Sequence, residues 1–167
     1  MPRTFVGNRA FTMSPFIFLT ATPDHIPAMH VVRMSVTENA LSNPLLVTES
    51  DYVEMLESKG KGWVCYAGDT LVGFAIVDVS SRNIWALFVA PGFENMGIGR
   101  SLHDQMLGWS FDQKAIGKLW LATAPGTRAE RFYNKAGWTS TGITEHGEIY
   151  FEMERDFWQK TNYQQAI

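Results

Sequence analysis

The chain holds one cysteine in 167 residues, Cys65. A lone thiol excludes an internal disulfide and a thiolate zinc cluster, and it fits a reducing compartment. The four histidines, His25, His30, His103 and His146, fall on separate predicted elements without the spacing of metal ligands, so no metal is expected and each reads as a surface or satisfied histidine. No apolar run approaches the roughly 20 residues that a membrane-crossing helix needs. The longest near the start, around residues 16–19, soon meets Pro23 and Asp24, and is too short and interrupted for a secretory leader. The chain therefore reads as cytoplasmic, with no membrane partner. Positive charge is not in excess either: 14 Lys+Arg stand against 17 Asp+Glu, a formal charge of -3. Nucleic acid is excluded as a partner on that balance. Internal repeats and low-complexity tracts are absent.

What is present suffices for one well-packed domain. Apolar residues make up 46% of the chain and aromatics 13%, enough to bury a core at a length that one core organises. Residues 1–13 match no regular period and are expected to form a poorly ordered arm, with Met13 as a second start; residues 14–167 are expected to be a single domain.

Periodicity places the elements in order. A short strand over 16–21 is followed by Thr22, Pro23 and Asp24, which start a helix with Ile26, Met29, Val32 and Val36 on one face. A loop over 38–44 leads to Thr48 and Asp51, a capping box for a helix that Gly60, Lys61 and Gly62 stop. Strands over 63–67 and 71–79 form a hairpin around Gly68 and Asp69. The nearly all-apolar run 83–90 reads as a central strand covered on both faces. Ile98, Leu102, Met106 and Trp109 mark one face of a helix, with Arg100 and Asp104 on the other. A strand over 118–124, a helix capped by Thr127 and Glu130 and closed by Gly137, and two strands over 138–143 and 148–155 complete the chain. Trp158 lies in a tail that is expected to cover a sheet edge or a second subunit. Cys65 and most of the six tryptophans sit at core spacing. The fold class is α/β (α+β): a mixed, mostly antiparallel sheet with helices on both faces.

The most informative stretch runs from the strand 84–89 through Pro91 into Glu94, Asn95, Met96, Gly97, Ile98, Gly99, Arg100 and straight into a helix. Two glycines here let the backbone approach a ligand closely, while consecutive N–H groups and the helix dipole point at it, as in a diphosphate cradle. By itself this Gly-x-Gly reads equally as a structural turn. A dinucleotide site would want a third glycine where Ser101 and Leu102 stand, and an acid where the next strand reads Ala122, Thr123, Ala124. A Walker loop would want a lysine after its last glycine, and Arg100 stands there.

The stretch 84–102, together with Arg128, Ala129, Phe132, Tyr133, Gly137 and Trp138 about thirty residues on, resembles the GNAT superfamily of acyl-CoA-dependent N-acyltransferases. The resemblance covers nearly all of the chain after Thr12. It implies that the chain is an N-acetyltransferase moving an acetyl group from acetyl-CoA to a primary amine, small-molecule or peptide, by direct attack in a ternary complex. It further implies that Phe88 and Val89 offer backbone groups to pantetheine and the thioester oxygen. The amides from Met96 to Ser101, hence Met96, Gly97, Ile98, Gly99, Arg100 and Ser101, hold the diphosphate. Tyr133 protonates the departing thiolate; its other reading is a core aromatic, on the helix face that also carries Ala129, Phe132 and Ala136, where Phe132 is expected to occupy the buried stripe. Arg100 either meets a phosphate or pairs with Asp104. Two positions depart from the family pattern: Glu94 stands where Gln or Arg opens the cradle, and Ala124, Pro125 and Gly126 stand where many relatives hold pantetheine with an asparagine. Glu94 is expected to lie outside the cradle.

The attacking amine must lose a proton. Glu38, with Asn39 beside it in the loop where such folds bind acceptors, ranks first as base and acceptor contact. Asp78 and Glu148, at strand ends, follow; an exposed loop or strand end explains each as well. A homodimer through the final strands is implied by the same resemblance. The alternative is a catalytically inactive CoA-binding sensor or interaction module, kept in play by Glu94 and the missing asparagine.

Overall fold

A computed structural model describes residues 15–37 and 46–165. The expected arm, together with Glu38 and Asn39, lies outside the described residues. Seven strands form one sheet in the order β1-β2-β3-β4-β5-β7-β6. They are β1 Phe16–Thr20, β2 Gly60–Ala67, β3 Thr70–Asp78, β4 Asn83–Val89, β5 Lys118–Thr123, β6 Thr139–Ile143 and β7 Ile149–Glu154. All neighbours run antiparallel except β4 and β5. The expected mixed sheet, with the run after Asn83 at its centre, is what folds.

Alternation along β2 and β3 divides the core into two layers. Trp63, Cys65, Val72, Ala75 and Val77 face the helices α3 (Ile98–Phe111), α4 (Arg128–Lys135) and α5 (Arg155–Gln165). Val64, Phe74 and Ile76 face α1 (Ile26–Ser35) and α2 (Glu49–Glu54) on the other side. Period-2 alternation sends neighbouring side chains to opposite faces, so one strand seals both layers. Burial pushes the Cys65 thiol up to about 11, which leaves it an inert core residue.

The helices form where the sequence signals them. Thr48 Oγ1 accepts from Asp51 N–H at 3.2 Å while Asp51 accepts from Thr48 N–H at 2.7 Å, the expected capping box. Ile98, Leu102 and Met106 are fully buried, and Gly73 beneath them has no Cβ to hold α3 off β3. β2 begins at Gly60, earlier than expected, and its close pairing there requires a glycine: a Cβ would sit 1.6 Å from the Val77 carbonyl oxygen. The tail after Arg155 is a helix, and its Trp158 packs at 5.7 Å against His103 inside this chain's own core, so it does not serve a second subunit.

Asp78 closes the β3–β4 turn. Its carboxylate accepts from the N–H and hydroxyl of both Ser80 and Ser81. Burial would raise its pKa, but these hydrogen bonds outweigh it and hold the group below the usual carboxylate range. The stability they contribute is present above about pH 4 and is lost as pH falls through the lowered folded value. Asp78→Ala is expected to cost about 1–3 kcal/mol in a denaturant melt at pH 7, with the difference from wild type shrinking below about pH 4.

Candidate active site

The central feature is a split in the sheet. β4 and β5 share one parallel bridging pair, Asn83 with Trp120. Trp120 N–H donates to Arg82 O at 3.0 Å and Asn83 Nδ2 donates to Trp120 O at 3.3 Å. Beyond that pivot β5 pairs only with β7, so one side of β4 is open from Ile84 onward, about 20 Å of strand.

Register decides which β4 amides face the opening. Ala90 N–H donates to Val72 O at 2.7 Å, and Phe88 lies opposite Phe74. Antiparallel pairs alternate between bonded and non-bonded, so Phe88, two residues before Ala90, also spends its backbone groups on β3. Leu87 and Val89 turn theirs to the open side. The backbone groups of Val89 and Leu87 thus face the opening, and those of Phe88 face β3.

The opening is a cleft of about 970 Å³ between β4 and the start of α3 on one side and α4 on the other. Its walls include Phe88, Val89, Gly97, Gly99, Phe132 and Tyr133. Gly97 caps α3 with φ 84, a left-handed conformation that favours glycine. The N–H groups of Ile98, Gly99 and Arg100 lie in the first turn, with no acceptor inside the helix. Ser101 N–H, expected to join them, is taken by Gly97 O at 3.0 Å. Met96 is half exposed and does not line the cleft.

Arg100 makes the expected pair with Asp104 and also stands at the cleft. Its Nε donates to Asp104 Oδ1 at 3.0 Å, and the residue also lines the cleft. Behind it, Asp104 Oδ1 lies 2.8 Å from His103 Nδ1, and Trp138 Nε1 donates to His103 Nε2 at 2.9 Å. The indole N–H needs an acceptor, so the imidazole proton sits on Nδ1 and is donated to Asp104. Burial lowers the His103 pKa against the pull of Asp104, which keeps the ring neutral. A hydrogen-bonded line thus runs from Trp138 in the core to Arg100 at the cleft.

Arg128, Arg131 and Lys135 of α4 bring further positive charge to the mouth, none of it singled out in the sequence except Arg128. Arg128 Nη2 donates to Asn95 Oδ1 at 3.3 Å, tying α4 to the cradle turn. Glu94 lines the cleft but is turned to its own turn: Gly92 N–H donates to Glu94 Oε2 at 2.8 Å. Backbone hydrogen bonds, helped by Arg128, hold its carboxyl below the usual range, so it stays charged. Glu94→Gln is expected to tighten acetyl-CoA binding a few-fold at low salt, and calorimetry at two ionic strengths checks it, the gain shrinking as salt rises.

Tyr133 is the deep residue of α4, and Phe132, expected to fill the buried stripe, is the shallower one. Its ring packs at 5.2 Å from Phe132, 5.5 Å from Trp138 and 6.1 Å from Phe151, yet it reaches the cleft wall. Its hydroxyl has no hydrogen-bond partner among the described residues, and burial pushes its pKa up. Asp78 sits at the Asn83 end of β4, the end away from the cradle. Glu148 lies in the turn before β7, at the cradle's end of the sheet because Ile149 pairs with Thr123, but outside the cleft lining. Among the described residues no His, Cys, Asp and Glu cluster could hold a metal, and no helix is long and apolar enough to cross a membrane.

The sheet thus splays beside a glycine-led helix start whose N–H groups are free of helical acceptors, with cations at the mouth of the cleft between them. The chain belongs to the Acetyltransferase (GNAT) family, whose sequence profile matches residues 17–138. It is an acyl-CoA-dependent acetyltransferase. Solved structures share the fold at low identity. The PaiA N-acetyltransferase of Thermoplasma acidophilum, in complex with coenzyme A, is 14% identical with a TM-score of 0.70, over 85% of this chain and 99% of its own. The ribosomal-protein-S18-alanine N-acetyltransferase of Escherichia coli is 16% identical with a TM-score of 0.64, over 83% and 91%. A spermidine N-acetyltransferase chimera from Vibrio cholerae is 15% identical with a TM-score of 0.69, over 87% and 99%. No curated protein sequence matches the chain.

Proposed function

We propose that the protein transfers an acetyl group from acetyl-CoA to a primary amine by direct attack while both are bound. The observation that carries this reading is the open side of β4 leading to the amides at the start of α3. Pantetheine would lie as an added strand against Leu87 and Val89, and the diphosphate would meet the N–H groups of Gly97, Ile98, Gly99 and Arg100. Arg100, Arg128, Arg131 and Lys135 would offset the phosphate charge. The missing asparagine before α4 is compatible with this, because binding along β4 rests on backbone groups.

In the transfer, the amine nitrogen bonds to the thioester carbon and the carbon–sulfur bond breaks. Amides turned to the cleft stabilise the oxyanion, and the Tyr133 phenol gives its proton to the leaving sulfur. The amine's proton passes to water or to a carboxylate, for which Glu38 is our choice on sequence grounds. Holding both reactants in one cleft replaces a bimolecular encounter, which supplies much of the rate. Asp78, bonded into its turn, is not part of this scheme.

Thiol release from acetyl-CoA across a panel of amines tests the reading. Amine-dependent release supports it, whereas a protein that binds acetyl-CoA and releases no thiol with any amine is a sensor.

A further inference from the structure

Arg33 on α1 is buried to 7% exposure. Its Nε donates to the Tyr52 hydroxyl at 3.0 Å, and that oxygen also lies 3.1 Å from His30 Nδ1. The guanidinium sits 4.8 Å from the ring centroids of both Trp85 and Phe88, and 5.6 Å from that of Tyr52. Aromatic faces attract a cation but provide no counter-charge. No carboxylate pairs with Arg33 among the described residues, and its Nη2 is buried without a hydrogen-bond partner. A buried charge left unpaired is costly, and a folded chain rarely leaves one without a task.

Its position indicates the task. Phe88 is a wall common to both places: it lies against Arg33 on one side and lines the cleft on the other. Val36 and Thr37, the first of them one helical turn after Arg33, also line the cleft. Leu87 and Val89, whose amides face the thioester's expected place, flank Phe88. The cation therefore stands on the α1 and α2 side of β4, opposite the helix that cradles the phosphates.

We propose that Arg33 recognises the acceptor, and that the acetylated amine carries a carboxylate on the same small molecule, bound by the guanidinium. This rests on the transferase reading above and narrows it to amino acids and related amino carboxylates. The anion completes the vacant hydrogen-bonding capacity of Arg33. The fixed positive charge also disfavours the ammonium form of a nearby amine, and the free amine is the species that attacks.

The test uses matched amines differing in one group: γ-aminobutyrate against butylamine, phenylalanine against phenethylamine, lysine against cadaverine, with aminoethyl phosphate as the other anion. Thiol release is measured with the wild-type protein and with Arg33→Met. In wild type the preferred pair is expected to favour its carboxylate member by about 10- to 100-fold in kcat/KM. In Arg33→Met that ratio falls to near one, acetyl-CoA affinity is kept, and the melting temperature is no lower, since a buried charge with no carboxylate partner among the described residues has been removed.

Equal use of both members by an active enzyme overturns the proposal and leaves the transferase reading standing. So does a variant that loses both members alike, or that melts far lower and loses acetyl-CoA binding; either makes Arg33 structural. A preference for aminoethyl phosphate overturns the carboxylate assignment. No thiol release with any amine, by a protein that binds acetyl-CoA, overturns the transferase reading and the proposal with it.

Discussion

Replacing Gly99 with leucine is expected to raise the Kd for acetyl-CoA at least about 100-fold while the protein stays folded. A Cβ at Gly99 would lie 3.6 Å from Val89 Cγ2 and 3.8 Å from Phe132 Cε2, so it would stand between the two walls of the cleft. Those are ordinary contacts, and the backbone there is helical, so the substitution is not strained in the unliganded protein. Leucine also has a higher helix propensity than glycine, by up to about 1 kcal/mol. The extra carbons would occupy the volume proposed for the carrier, beside the first-turn amides. Calorimetry and a thermal melt together check this. Binding within about three-fold of wild type would move the carrier away from Gly99.

Tyr133→Phe is expected to lower kcat about 100-fold or more, within the range that general acids contribute, with the Kd for acetyl-CoA unchanged. Burial alone, and no hydrogen bond, acts on the Tyr133 hydroxyl among the described residues, so its removal leaves none of their polar groups unsatisfied. Because burial raises its pKa, the phenol keeps its proton throughout the working range. The sign follows: wild-type kcat shows no loss from Tyr133 ionisation up to about pH 10, the ordinary phenol value. Single-turnover rates across pH measure both effects. A variant within two-fold of wild type would make Tyr133 a core aromatic and nothing more.

The glycine-led start of α3 was legible because its signal is local. Gly97 and Gly99 precede a helix whose Ile98, Leu102 and Met106 recur at helical spacing, and these features need no knowledge of the rest of the chain. The mixed sheet and the capping box at Thr48 and Asp51 were legible for the same reason. What escaped depends on partners distant in sequence. That the amides of Leu87 and Val89, and not that of Phe88, face the opening is set by the bond from Ala90 to Val72 across the β3–β4 pair, a register that periodicity alone does not give.

His103, read as a surface or satisfied histidine, is a satisfied one; which partner satisfies it was not legible, because its link to Trp138 spans 35 residues. The helix after Arg155 escaped because its apolar pair Phe157 and Trp158 is adjacent in sequence, followed by Gln159, Lys160, Thr161 and Asn162, with no repeating stripe. Docking of Trp158 on His103 holds it in place. Arg33 did carry a signal. It falls three residues before Val36 and four after Met29, on the apolar stripe itself, and a charge on such a stripe marks a buried cation in need of a partner.

Titration of the unaltered protein with acetyl-CoA at low and raised salt tests the central claim most directly. Saturable binding of one molecule per chain, weakening as salt screens Arg100, Arg128, Arg131 and Lys135, is the predicted result. An absence of saturable binding at either salt would contradict the assignment of the open side of β4 and the first turn of α3 to an acyl carrier.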